Sequence, residues 1–65
     1  MNREEPKVAK EGRYPTCEAA RRLGCHRNTL KKYAGVLRIN PRMNPNNNRQ
    51  FYTGEQLIRI WRAAN

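Results

Sequence analysis

The run Arg27-Asn28-Thr29-Leu30-Lys31-Lys32 holds most of the chemistry this chain could perform. Arginine can bridge O6 and N7 of guanine, and asparagine can bridge N6 and N7 of adenine; lysine donates to bases or neutralises phosphate. On a helix, Arg27, Asn28, Lys31 and Lys32 turn outward while Leu30, Tyr33 and Ala34 turn inward, with Thr29 at the margin. A helix with an apolar underside and a cationic, amide-bearing upper side suits the major groove of double-stranded DNA. Arg27, Asn28 and Lys31 are therefore the candidate base readers, and Lys32 is a candidate backbone contact. Other chemistries lack their parts. Cys17, Cys25 and His26 include no close cysteine pair and no fourth ligand, so no metal site is expected, and both cysteines fit small apolar packing positions. His26 has no carboxylate or nucleophile near it in sequence, so capping or a phosphate contact is its expected work. No carboxylate pair, phosphate loop or nucleophile–base set occurs, and neither an enzyme nor a cofactor is expected.

Charge points the same way. Fourteen Lys and Arg stand against five Asp and Glu, a formal net charge of +9, and from Ala19 to Gly54 eight basic residues occur without one acid. Such a field attracts polyanions, either nucleic acid or an anionic membrane surface. With 65 residues the chain is one domain at most, with a small core. It shows no secretory signal and no apolar run of spanning length, so a reduced, cytoplasmic and nucleoid-associated protein with no membrane partner is the expectation.

The elements that must hold these residues can be read in order. Residues 1–13 mix both charges around Pro6 and Gly12 and read as a flexible N-terminal tail, with residues 14–65 as the domain. Tyr14-Pro15 imposes an extended entry, and Thr16 is placed to cap a first helix over 17–23, ended by Gly24. His26 takes the cap position of a second helix over 27–34, ended by Gly35. Residues 36–52 read as a β-hairpin: Leu37 and Ile39 alternate with Arg38 and Asn40, a first strand stops near Asn40, and Asn46–Asn48 form a turn or loose tip. Arg38, Arg42 and Arg49 bracket that tip and, with Thr16, Arg22 and His26, complete the candidate backbone contacts. Thr53-Gly54-Glu55-Gln56 is a capping box, and Tyr52 with Leu57 a hydrophobic staple, at the head of a third helix over 54–63. Leu57, Ile60, Trp61 and Ala64 form its apolar stripe, with Trp61 the largest expected core residue and Arg59 and Arg62 on the wet side. The class is mainly α with a small β-hairpin.

Two helices, a hairpin and a capped third helix, in that order, resemble a winged helix-turn-helix. The run AARRLGCHRNTLKKY, residues 19–33, is similar to the helix-turn-helix segment of the MerR-like superfamily. YTGEQL, residues 52–57, is similar to the start of that family's helix after the wing. The resemblance covers about fifty residues from Tyr14 onward. Cys25 and His26 stand where the family usually has Val and Ser, and Arg49 lies one residue further from Tyr52 than the family's wing arginine. The long dimerising helix and effector part of full-length MerR regulators have no counterpart in these residues. By resemblance, the expectation is an excisionase-like directionality factor of a mobile element that binds and bends attachment-site DNA. The resemblance also implies contact with a site-specific recombinase, an integrase, and with neighbouring copies of itself. A small MerR-like transcriptional regulator is the alternative; a protein-interaction module with an acidic partner is a second one.

Overall fold

The computed structural model describes residues 1–64. It contains three helices and one three-stranded antiparallel sheet, so the class is mixed α/β rather than helices with a bare hairpin. In chain order the elements are β1 (Arg13–Pro15), α1 (Thr16–Leu23), α2 (Arg27–Val36), β2 (Arg42–Asn44), β3 (Arg49–Thr53) and α3 (Gly54–Ala64). The sheet order is β1-β3-β2, with Tyr14 opposite Tyr52 and Met43 opposite Gln50. Leu23, Leu30, Leu57 and Ile60 are its largest fully buried side chains, joined in the core by Ala19, Ala20, Ala34, Ile39 and Tyr52.

Helix α1 begins one residue earlier than its sequence suggests. Thr16 is already helical, Pro15 holds the extended cap conformation (φ −55°, ψ 156°), and no side chain caps this end. Proline fixes that φ through its ring, which moves the half-in position upstream of the threonine. At the other end Gly24 sits at φ 72°. Its N–H reaches Arg21 O at 3.1 Å, and the Cys25 N–H reaches Ala20 O at 3.0 Å, the paired bonds of a Schellman stop.

Helix α2 does not end at Gly35. It continues to Val36 and closes with a second Schellman stop in which Arg38, at φ 57°, takes the left-handed place. Arg38 N–H bonds Gly35 O at 3.2 Å, and Ile39 N–H bonds Ala34 O at 2.8 Å. The alternation of Leu37 and Ile39 therefore comes from the end of a helix, not from a strand. Ile39, at 5 % exposure, is the apolar residue after the stop, folded back towards Ala34. The first hairpin strand accordingly lies later, after Pro41, whose missing N–H stays outside the ladder.

The hairpin tip is ordered by its own amides. Asn44 Oδ1 accepts from Asn46 N–H and Asn47 Oδ1 from Arg49 N–H, each at 2.9 Å, while Asn48 takes the left-handed conformation expected of this asparagine run.

Residues 1–13, read from the sequence as a flexible tail, lie against the domain. Pro6 is buried, Met1 and Val8 pack on the core, and Arg13 belongs to the sheet. The segment's polar backbone finds partners at helix ends. Asn2 N–H donates to Leu23 O at 2.9 Å, closing part of α1's C-terminus. At α3, Gly54 N–H donates to Gly12 O and Glu55 N–H to Lys10 O. The capping box supplies the next bond: Gln56 N–H donates to Thr53 Oγ1 at 3.2 Å, and Gln56 Oε1 accepts from Thr53 N–H at 3.0 Å. The first three amides of α3 are thus all satisfied. Gly54 is required by this approach, since a Cβ there would run into the Ala9 carbonyl. Trp61 is only half-buried; its Nε1–H donates to Asn2 O at 2.9 Å, so it fastens the N-terminal segment rather than filling the centre of the core.

Candidate nucleic-acid interface

Leu30 and Ala34, 0 % and 2 % exposed, fix which side of α2 faces the core. At 3.6 residues per turn the opposite line runs through Asn28, Lys32 and Gly35, with Lys31 on one flank. Arg27 lies on the α1 side, at the mouth of a shallow groove it shares with Cys17, Arg21, Cys25 and His26. Arg27, Asn28, Lys31 and Lys32 are all exposed, and none of the three cations forms an ion pair among the described residues. Tyr33, expected inward, is 36 % exposed because it sits to one side of the Leu30–Ala34 line.

His26 does cap α2. Its Nδ1 accepts from the Asn28 backbone N–H at 3.1 Å, so Nδ1 carries no proton and Nε2–H is the outward donor in this arrangement. The cap satisfies one of the amides that a helix start leaves without an intrahelical partner.

The backbone candidates do not form one surface. Thr16 and Arg49 line a common cleft between the start of α1 and the hairpin, together with Cys17, Met43 and Gln50. Arg38 stands exposed at the end of α2. Arg22 is engaged within the molecule: Nε lies 3.0 Å from Glu18 Oε1, a guanidinium N–H reaches Lys7 O at 3.4 Å, and the group stacks 5.6 Å from the Tyr14 ring centroid. Arg42 is paired across the sheet with Phe51, away from α2. Arg13, which sequence reasoning left in the tail, joins it there; the extended Tyr14-Pro15 pair was the one signal that a strand could begin nearby.

The two cysteines differ. Cys17 is exposed, against the packing expected of it; the buried side of α1 is made by Ala19, Ala20 and Leu23. Cys25 is half-buried against the core, and burial pushes its thiol above the ordinary value, opposed by a smaller pull from the N-terminal ammonium group. Burial likewise raises the Tyr52 hydroxyl. Among the described residues no three His, Cys, Asp or Glu side chains are grouped to hold a metal ion, and no helix is long and apolar enough to cross a membrane. No family model, no curated protein and no solved structure matches this chain.

Proposed function

We propose that this chain binds double-stranded DNA in a sequence-dependent way, with α2 as the reading helix of a winged helix-turn-helix. The observation that carries the reading is the exposed surface of α2: four exposed donors on one helix, with no ion pair among the described residues to compete for them. In this reading Asn28 and Lys32 lie on the line facing the duplex, Lys32 meeting phosphate one turn on from Asn28, while Lys31 reaches base edges from the flank and Arg27 enters from the α1 side. Thr16, His26 and Arg38 are placed for flanking phosphates, and Arg49 for the rim of the cleft it shares with Thr16. Within this reading we favour an excisionase-like architectural role over a small MerR-like regulator, on the sequence resemblance.

Selection from random duplexes followed by competition binding tests it. Arg27→Ala or Asn28→Ala should each cost about 1–3 kcal/mol on the selected site and leave random DNA nearly unchanged. Lys32→Ala should weaken all sequences alike and lower the salt slope by about one. Equal losses on both DNAs from Arg27→Ala and Asn28→Ala would remove these two as base readers. A bend in the selected site, seen by circular-permutation mobility, separates the architectural role from simple occupancy. A folded chain that binds no duplex even at low salt would transfer the cationic face to an acidic protein partner.

A further inference from the structure

Two further arginines, Arg13 and Arg42, are gathered with Arg49 on a different side of the molecule. Side chains alternate across a strand, and Tyr14 and Tyr52 take the face turned towards the helices, so their neighbours take the other. That outer face has three rows: Arg13 opposite Thr53; Pro15, Phe51 and Arg42 abreast; Asn44 opposite Arg49. Arg13, Arg42 and Arg49 are exposed and form no ion pair among the described residues. None of the seven residues is acidic; Glu11 and Glu55 enter from outside the sheet and line, with Lys10, the depression that Arg13 and Arg42 share. Phe51 is buried at 9 % exposure yet lies outside the main core. Pro15 and Arg42 flank it, and Arg13 lies over its ring, the guanidinium carbon 5.4 Å from the centroid. The ring holds that cation in a fixed place above the sheet.

The chemistry of this face selects its ligand. Protein partners are anchored by apolar or aromatic side chains in desolvated pockets. Here the depressions on either side of Phe51, about 190 and 290 Å³, are lined mainly by polar side chains, and the one aromatic ring is already capped. At the hairpin end, the amide oxygens of Asn44 and Asn47 are taken by backbone N–H groups, which leaves their NH2 groups as donors beside Arg49. Guanidinium and amide donors without an apolar seat match phosphate oxygens, which only accept.

From this the geometry points to the outer face of the sheet as a second phosphodiester-binding surface, centred on Arg13 and Arg42. Helix α2 belongs to the helical layer on the other side, so one copy of the chain holds one duplex segment at α2 and a second at the sheet. The inference rests on the DNA-binding reading of α2.

The test uses the full chain, a biotin-tagged short duplex on beads, and a second duplex carrying a fluorophore. The wild-type chain should retain the fluorescent duplex on the beads in linear proportion to protein. R13Q/R42Q should bind a single duplex within about twofold of wild type but hold several-fold less of the second, with that salt slope shallower by about 1.8. R42Q alone leaves Arg13 over Phe51, and should give half the slope change. Circular dichroism melting confirms that both variants fold. An equal loss of single-duplex binding would merge the face into one footprint and overturn the inference, as would second-duplex capture untouched by R42Q. Capture rising with the square of protein concentration would mean that pairs of copies do the bridging. Uptake of a polyglutamate peptide in place of the second duplex would assign the face to an acidic protein. Absence of all duplex binding in the wild type would instead remove the reading of α2 itself.

Discussion

Helices α1 and α2 lie side by side and both carry basic residues, but they treat them in opposite ways. On α1, Glu18 sits one turn before Arg21 and Arg22 and pairs with both, at 4.0 and 3.0 Å. On α2, Arg27, Lys31 and Lys32 form no ion pair among the described residues. Their ends differ in the same sense. Both close with a Schellman stop, but α1 places Gly24 at the left-handed residue whereas α2 places Arg38 there and carries Gly35 inside the helix. The ion pairs and the C-terminal stop favour stability on α1 and give some away on α2, whereas at the N-terminal ends only α2 has a side-chain cap, His26. Number of charges alone would not have told the two helices apart; the location of the counter-charge and of the glycines does.

The largest effect should come from disturbing the better-built helix. Gly24→Ala puts a side chain at φ 72°, a left-handed conformation that costs an L residue about 1–2 kcal/mol. The new Cβ would also strike the Asn2 side chain, so the N-terminal segment must shift as well. We expect about 2 kcal/mol of destabilisation in urea titrations followed by Trp61 fluorescence, with Asn2 contributing part of it. A loss near zero would mean that the Schellman stop of α1 is not the stabilising feature the comparison makes it.

Gly35→Ala should move the other way. Nothing lies within 4 Å of the added methyl, and glycine inside a helix costs about 0.8–1.0 kcal/mol relative to alanine. Stability should therefore rise by about 1 kcal/mol, a gain of roughly 4–8 °C in melting temperature for a domain this small. Gly35 also shares the outward line with Asn28 and Lys32, so the same methyl should weaken duplex binding. Wild-type affinity in a stabilised variant would leave the glycine without a role at the DNA. Arg38→Gly is a smaller gain, about 0.5 kcal/mol, because relief at φ 57° is offset by the greater freedom of glycine in the unfolded chain.

These positions also mark what could be read from the sequence and what could not. The capping box at Thr53 and Gln56, the staple of Tyr52 and Leu57, the His26 cap and the stop at Gly24 were all legible, because each is a local rule satisfied within a few residues. The third strand was not. Arg13–Pro15 is too short to show alternation, and it is a strand only because β3 lies beside it. The N-terminal segment looked too polar to be held, since its backbone partners, Leu23 O and the amides of Gly54 and Glu55, are distant in sequence. Gly54 was the available clue: a glycine at the first position of a capped helix has no local purpose, and its purpose turned out to be the approach of Ala9. Leu37 and Ile39 misled for the converse reason, because a helix stop followed by an inward residue imitates the period of a strand. The exposure of Arg27, Asn28, Lys31 and Lys32 was legible from periodicity, although only Asn28 and Lys32 of the four lie opposite the core; the gathering of Arg13 with Arg42 depends on sheet register and was not.

The smallest effect is the most direct test of the comparison between the helices. Glu18→Gln removes the one acid of α1 and releases Arg21, while Arg22 keeps Lys7 O and the Tyr14 ring. Surface ion pairs of this kind are worth about 0.3–0.5 kcal/mol, and the loss of a negative charge from the first turn adds a similar amount, so stability should fall by less than about 1 kcal/mol. Binding should move oppositely. Arg21 lines the same groove as Arg27, and its release extends the cationic surface of α2 across to α1. Random-duplex affinity should rise about two- to threefold, or ~0.5 kcal/mol. Discrimination in favour of a selected site should fall, because the added attraction is to phosphate and ignores sequence. If Glu18→Gln left both affinities unchanged, the counter-charge on α1 would not be what confines binding to α2, and the contrast between the two helices would reduce to one of stability alone.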